Sequence, residues 1–299
     1  MNYQPHRTLG LLVGTVLGMW SAIIGVLLLN AGITAEIGLP QLGAYVGTVA
    51  AAALAALFGY WCYGLSTLSY QLDRNGLVIQ WGATRQVIPL ETIERLVPGH
   101  SLDTSPRVNG ISWPGYHVGR AKLDRIGEVL VYSTHRSPEQ VLYVMSSQHT
   151  YAISVDDHAG FADEIQRRLE LGPTASITHR VERWGVAAQA LWLDRAAQTL
   201  IIIALATAVA MWAQVVVQYP HLPATLELTF PPVGGTAFAT VVARDAILEL
   251  PRAATALLAL NLTVGVLAHG WNRAAGYVLF LAAAGVQLAF LAAFARAIA

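Results

Sequence analysis

Charged residues are missing from long stretches at both ends of this sequence. No Asp, Glu, Lys or Arg occurs between Arg7 and Glu36, or between Glu36 and Asp73. Only 12% of the 299 residues are charged and 55% are hydrophobic, whereas soluble domains average about 25% charged residues. Because about 20 apolar residues cross the hydrocarbon core of a bilayer, this pattern predicts five transmembrane helices, at residues 8–31, 39–66, 196–218, 253–269 and 274–295.

Cysteine is nearly absent, since Cys62 is the single one in the chain. One cysteine cannot form an intrachain disulfide or a multi-cysteine zinc site. The sequence also lacks a His-Glu-x-x-His helix, a Gly-x-Ser-x-Gly elbow and a phosphate-binding glycine loop. We therefore predict that the protein is not an enzyme and has no catalytic, metal-binding or cofactor-binding residues.

A surplus of basic charge is absent too. The chain has 18 Lys and Arg residues against 18 Asp and Glu residues, which gives a formal net charge of zero. Proteins that bind nucleic acids carry a basic patch that contacts the phosphates. A nucleic acid is therefore not expected as a partner.

Asp, Glu, Arg and Lys do not occur deep in any of the five apolar runs, which disfavours a transporter. Two polar residues do lie at membrane depth, Asn261 in the fourth run and Gln287 in the fifth. Polar side chains inside a membrane need hydrogen-bond partners. We predict that these two side chains bond to each other across the hairpin of the last two helices.

Glycines spaced four residues apart mark one face of each of the first two runs. They are Gly10, Gly14 and Gly18 in the first run, and Gly43 and Gly47 in the second. Such spacing lets two helix backbones approach closely. Two interpretations stay open: a homodimer through helix one, or packing of helix one on helix two within the chain.

Arginines near the ends of the runs predict the orientation in the membrane, because cytoplasmic loops carry an excess of Lys and Arg. One side has seven, which are Arg7, Arg74, Arg85, Arg180, Arg183, Arg195 and Arg273. The other side has Arg244, Arg252 and Arg296. We predict that the N-terminus and the middle block are cytoplasmic and that the C-terminus lies outside.

The polar block between the second and third runs alternates apolar and polar residues with a period of two, as β-strands do. Asn75-Gly76 is typical of a tight hairpin turn. From Phe161 to Leu169 the apolar spacing changes to that of an amphipathic helix, with Asp156 or Asp157 as its N-cap. About seven strands followed by one helix predict a small β-barrel or sandwich closed by a C-terminal helix.

Several segments of this block resemble the bacterial pleckstrin-homology-like (PH-like) domain family. They are residues 70–79 (YQLDRNGLVI), 88–93 (IPLETI), 113–119 (WPGYHVG), 129–134 (VLVYST) and 151–154 (YAIS), followed by Phe161. The resemblance covers residues 68–171 and implies the PH-like fold and a role in protein–protein contact. Eukaryotic relatives often bind phosphoinositides through a basic first hairpin loop. Here that loop is the tight turn 73–76, in which one arginine is balanced by one aspartate, so lipid binding is not carried over.

The segment that begins at Trp113 is the candidate interaction surface of this domain. It comprises Trp113, Tyr116 and Arg120. Aromatic side chains with a polar group are common at protein interfaces. Alternatively, Trp113 and Tyr116 merely cover one end of the barrel.

Residues 173–195 connect the domain to helix three, and we predict an amphipathic connector there. Its apolar residues fall on one helical face, and they are Val181, Trp184, Ala188, Leu191 and Trp192. Such a segment either lies in the membrane interface or extends helix three into the cytoplasm.

The predicted outer loop, residues 219–250, resembles part of toxin-immunity proteins of the Sdp (sporulation delaying protein) type. It keeps Leu222-Pro223, Phe230 and Gly234 of that family's loop. Three positions depart from the family, with Glu227, Thr229 and Pro231 in place of its proline, histidine and asparagine. The resemblance implies a shared membrane architecture, whereas an activity that depends on the histidine does not carry over.

These observations predict a mixed fold, a five-helix transmembrane bundle with an inserted PH-like domain. The parts are a transmembrane hairpin (1–66), a cytoplasmic PH-like domain (67–172), the connector (173–195) and a three-helix transmembrane module (196–299). We expect a non-enzymatic protein of the bacterial inner membrane, surrounded by lipid, whose PH-like domain binds a protein partner or scaffolds a membrane complex. The alternative is a membrane sensor or toxin-immunity factor that uses residues 219–250.

Overall fold

A computed structural model describes residues 1–102, 107–185, 190–233 and 236–297. The described part contains six α-helices: α1 (Thr8–Thr34), α2 (Leu39–Ser66), α3 (His158–Leu171), α4 (Arg195–Gln218), α5 (Glu249–Trp271) and α6 (Arg273–Ala297). All except α3 are long and apolar enough to cross a membrane. The five predicted apolar helices are therefore confirmed, with ends shifted by a few residues.

The chain divides into two compact units. The first consists of residues 1–23 and 51–188, and the second of residues 24–50 and 189–299. Helices α1 and α2 contribute residues to both units, because each division falls inside a helix.

Two β-sheets form most of the first unit. The first sheet has the order β1 (Asn2–Tyr3), β2 (Ser69–Leu72), β3 (Gly76–Trp81), β4 (Thr84–Pro89) and β11 (Arg180–Arg183). The second has the order β5 (Ile93–Pro98), β9 (Leu142–Ser146), β10 (Thr150–Ile153), β8 (Gly127–Ser133), β7 (Tyr116–Leu123) and β6 (Asn109–Trp113). All neighbours pair antiparallel except β8 and β10, which are parallel.

The two sheets share one hydrophobic core. Buried side chains from both sheets meet in it, for example Tyr70 and Ile79 from the first sheet and Val144 and Tyr151 from the second. Helix α3 adds Phe161 to this core, and its N-cap is Asp157, which accepts a hydrogen bond from the Gly160 N–H at 2.8 Å. Neither sheet closes on itself within the described residues.

The connector differs from the helical pattern that the sequence predicted. Residues 180–183 form β11, which pairs antiparallel with β4, so that Val181 lies opposite Gln86. Ala188 lies outside the described residues, and Leu191 and Trp192 belong to a short 3₁₀ turn before α4. The physical reason is that β4 offers a free sheet edge, and main-chain pairing with that edge outweighs the helical spacing of the apolar residues.

The glycines predicted to pack helices contact parts of the same chain. A Cβ on Gly14 would lie 2.6 Å from Cys62 Sγ of α2, and one on Gly18 would lie 3.5 Å from Phe58 Cβ. In the second unit, a Cβ on Gly47 of α2 would lie 2.8 Å from Leu28 of α1, whereas Gly43 has nothing within 4 Å. Of the two interpretations, packing within the chain is therefore observed, and a homodimer through helix one stays a prediction.

The predicted outer loop contains a β-hairpin in the second unit. Strands β12 (Thr225–Val233) and β13 (Thr236–Ala243) pair antiparallel. Leu226 of β12 packs in a buried cluster with Tyr219, Ile247, Leu248 and Phe294. Gly234, on which part of the Sdp-type resemblance rests, lies outside the described residues.

The predicted hydrogen bond between Asn261 and Gln287 is wrong. Gln287 is fully buried and donates from Nε2 to the main-chain carbonyl of Ala254 at 2.7 Å. Gln287 comes 15 residues after Asn272 at the α5–α6 turn, whereas Asn261 comes 11 residues before it. The two residues therefore lie about one helical turn apart in depth, which prevents a direct contact.

Candidate functional site

The hairpin of β6 and β7 lies against the transmembrane helices of its own unit. Trp113 donates from Nε1 to the main-chain carbonyl of Gly10 in α1 at 3.1 Å. Gly10 also lies against Gly115 in the turn of this hairpin, where a Cβ on Gly10 would collide with the Gly115 carbonyl. Gly115 itself has a φ of 80°, a conformation that glycine adopts at little cost. The hairpin turn is thus fitted to the first turns of α1.

Aromatic rings extend this contact to α2. The Trp113 ring lies 5.7 Å from the ring of Trp61 and 6.2 Å from that of Phe58, measured between centroids. Its other neighbour is Tyr116, at 4.9 Å in an edge-to-face arrangement. These rings join the helices to the core of the two sheets.

Tyr116 is fully buried, so it cannot act as an exposed contact. Its hydroxyl accepts a hydrogen bond from Trp81 Nε1 at 2.5 Å, and burial raises the pKa of Tyr116 above its ordinary value. The prediction of an interaction surface is therefore wrong for Tyr116, and it stays a prediction for Trp113, which is half-buried and contacts α1 and α2. The reason is that apolar rings close to an apolar helix gain free energy by mutual burial.

Arg120 is separated from these two residues and lines a cavity between the two sheets. The cavity has a volume of about 350 Å³. Its polar lining comes from Gln86 of β4, Arg120 of β7, Glu128 and Tyr132 of β8, and Arg183 of β11, with His149 beside them. Its apolar lining comes from Val118, Leu130 and Val181.

Strand β11 completes this cavity because its side chains alternate between two faces. Val181 and Arg183 line the cavity. Glu182 points to the other face, where its carboxylate lies 3.6 Å from Arg85 and 2.6 Å from Arg180. Arg183 makes no ion pair with the described residues, and its guanidinium stays available to the cavity.

Gln86 is the most buried polar side chain of the lining, with 5% of its surface exposed. It donates from Nε2 to the Tyr132 hydroxyl at 3.1 Å. Its Oε1 has no hydrogen-bond partner in the described part of the chain. Since buried polar atoms are nearly always paired, this oxygen marks a position where a ligand can donate.

The electrostatics of the cavity centre on Tyr132 and the two arginines. Burial raises the pKa of Tyr132, while its hydrogen bond with Gln86 and the charges of Arg183 and Arg120 act in the opposite direction. Arg120 lies 3.3 Å from Glu128, and both side chains are mostly exposed. The cavity therefore has a neutral hydrogen-bonding interior and a charged rim.

Sequence reasoning identified Arg120 but missed Gln86 and Arg183. Gln86 is a polar residue in a strand, and polar residues that alternate with apolar ones along a strand usually face solvent. Arg183 belonged to a connector interpreted as helical. Pairing of β11 with β4 brings these residues together, and no local pattern in the sequence signals that pairing.

A second polar cluster lies in the second unit, and sequence reasoning missed it as well. Asp194 caps α4 by accepting from the Ala197 N–H at 3.1 Å, and it accepts from the Tyr277 hydroxyl at 2.5 Å. His269 is buried, with Nε2 at 3.4 Å from the same carboxylate. Hydrogen bonds from Tyr277 and the main chain lower the pKa of Asp194. This cluster ties α4, α5 and α6 together, and neither Asn261 nor Gln287 takes part in it.

Metal binding has no support in the described residues, where no group of three or more His, Cys, Asp or Glu side chains could hold an ion. The predicted absence of catalytic and cofactor-binding residues stays a prediction.

Residues 68–169 match the model of the family described as Bacterial PH domain. The match covers β2 to β10 and most of α3, and it supports the PH-like domain predicted from the sequence. Comparisons with curated proteins and with solved structures gave no match. The resemblance of residues 219–250 to Sdp-type immunity proteins stays a prediction.

Proposed function

We propose that this chain is a non-enzymatic, multi-pass protein of the bacterial plasma membrane whose PH-like domain binds a partner protein at the cytoplasmic face. In this role the domain scaffolds a membrane complex and needs no chemistry of its own. Five helices able to cross a membrane and a match to the Bacterial PH domain family support the general description. The partner, the sidedness and the absence of catalysis are the parts that we propose.

The contact of the β6–β7 hairpin with α1 carries the proposal. The Trp113–Gly10 hydrogen bond and the aromatic contacts with α2 join the domain to two helices that can cross a membrane. A protein bound to the domain would therefore be held at the membrane surface. That is the mechanical requirement for a scaffold.

The exposed part of the domain that best suits a partner is the cavity lined by Gln86, Arg120 and Arg183. Trp113 and Tyr116 are used within the chain, whereas the two arginines are exposed. The distribution of arginines near the helix ends favours a cytoplasmic position for the domain.

Photo-crosslinking in native membranes tests the proposal. A photoreactive amino acid replaces His149, an exposed residue at the cavity, or, as a control, Arg167, an exposed residue of α3. We expect the full-length chain to form a discrete adduct with one protein from position 149 and none from position 167. Mass spectrometry identifies the adduct. The same adducts from both positions, or none from position 149, would contradict a partner at this surface.

A second candidate function is a sensor or immunity factor that receives a peptide at the predicted outer loop. The observation that favours it is the hairpin of β12 and β13, which Leu226 attaches to a buried cluster of the second unit. A receiving element needs such a fixed position. This candidate requires residue 227 of the hairpin to face the outside of the cell, which cysteine labelling decides.

A further inference from the structure

We propose that the cavity between β4, β11, β7 and β8 binds a carboxylate carried by a peptide segment of the partner protein. Arg120 and Arg183 pair with the carboxylate, and Gln86 Oε1 accepts an N–H from the peptide. The inference rests on the proposed function, because it names the chemistry by which the PH-like domain recognises its partner.

The charge of the lining fits a single negative charge. Two arginines and one glutamate surround the cavity, a net charge of +1 with His149 neutral. A peptide carboxylate carries one negative charge, whereas a phosphate monoester carries about −1.5 to −2 at pH 7. Glu128, 3.3 Å from Arg120, would repel the second charge of a phosphate. The charge balance thus favours a carboxylate over a phosphorylated peptide or a phospholipid headgroup.

The hydrogen-bonding groups require a ligand that both donates and accepts. Gln86 Oε1 has no partner, so it calls for an N–H or O–H from the ligand. Tyr132 already accepts from Gln86, which leaves its own O–H to donate. A peptide supplies a main-chain N–H within a few bonds of an acidic side chain or a C-terminal carboxylate. A free, fully ionised phosphate has no donor for Gln86, and the charge balance alone separates a carboxylate from a phosphorylated peptide.

The size and the walls of the cavity agree with one such residue and its neighbours. A volume of about 350 Å³ lies at the lower end of the range of about 300–1,000 Å³ for ligand pockets. Val118, Leu130 and Val181 provide apolar walls that would cover the aliphatic part of an acidic side chain. Paired arginines suit carboxylates because the guanidinium can donate two parallel hydrogen bonds.

Binding of defined peptide pools to the full-length chain in lipid nanodiscs tests this inference. Three pools of N-acetylated heptapeptide amides are randomised, without Asp or Glu, except for the central residue, which is Glu, Gln or phosphoserine. We expect the Glu pool to be retained at least tenfold more than the Gln pool and more than the phosphoserine pool. Arg183→Ala is expected to abolish that preference. Arg167→Ala, which removes an exposed arginine elsewhere on the domain, should leave it unchanged.

A variant that is expected to gain phosphoserine binding tests the charge argument most directly. Glu128→Gln raises the net charge of the lining to +2, so we expect it to increase retention of the phosphoserine pool severalfold. Equal retention of the Glu and Gln pools by the unmodified chain would overturn the inference. A preference for phosphoserine without any substitution would overturn it in favour of a phosphate ligand.

The outcomes separate this inference from the proposed function. If position 149 crosslinks to a partner but the Glu pool shows no preference, the domain binds a protein by other chemistry and the carboxylate site is wrong. If neither result is obtained, the scaffold proposal fails as well. Circular dichroism of Arg183→Ala distinguishes loss of binding from loss of folding. We expect the variant to fold, because Arg183 makes no ion pair with the described residues.

Discussion

Gln86 shows at the scale of one residue that a buried amide can be satisfied at one end only. One end of its amide bonds to Tyr132 and the other end is buried without a partner. Leaving a buried polar atom unpaired costs about 1–3 kcal/mol.

Replacing Gln86 by Met should therefore stabilise the domain slightly. We expect Gln86→Met to raise the free energy of unfolding by about 1 kcal/mol, because the gain from removing the unpaired Oε1 exceeds the loss of the Tyr132 hydrogen bond. Thermal unfolding of the full-length chain in detergent measures the change. The matched control is Gln80→Met, at a half-buried position of β3, where little change is expected. A strong loss of stability in Gln86→Met would show that Oε1 is satisfied.

Close approach of α1 to the β6–β7 hairpin is the decisive contact at the scale of secondary-structure elements. A Cβ on Gly10 would collide with the Gly115 carbonyl and lie 2.7 Å from Leu65 Cδ2. Neither the main chain of the hairpin nor a fully buried leucine can move without disturbing the core.

Gly10→Ala should weaken this contact even though alanine favours a helix. We expect a loss of about 1–3 kcal/mol, the usual cost of overpacking, and a shift in the fluorescence of Trp113. Gly43→Ala is the matched control, since nothing lies within 4 Å of its added Cβ. That variant should be neutral or slightly stabilising because alanine has the higher helix propensity. Equal effects of the two substitutions would contradict the docking of the hairpin on α1.

The orientation in the membrane is a property of the whole molecule, and labelling at two exposed residues measures it. Asp124 is exposed between β7 and β8, and Glu227 is exposed in β12. If the arginine distribution determines the orientation, these two residues lie on opposite sides of the membrane.

Cysteine labelling measures this directly after the single native cysteine is removed by Cys62→Ser. In intact spheroplasts, a membrane-impermeant maleimide should label Glu227→Cys. It should label Asp124→Cys only after the membrane has been permeabilised. The opposite pattern would reverse the proposed orientation and remove the cytoplasmic partner. If Glu227→Cys is labelled only after permeabilisation, the second candidate function, a sensor or immunity factor, is also excluded.

The sequence by itself determined the five apolar helices, the helix that became α3 and its cap by Asp156 or Asp157, and several short motifs gave the resemblance to PH-like domains. The helices and the cap follow from local properties, namely runs without charge, the spacing of apolar residues and a short capping side chain. Only the tertiary structure decided that Tyr116 is buried and Trp113 half-buried, that Gln287 bonds to Ala254, and that Arg183 joins Gln86 and Arg120 around one cavity. Each of these depends on contacts between residues far apart in the chain. Their free energy comes from mutual burial and sheet pairing, which a local pattern does not encode.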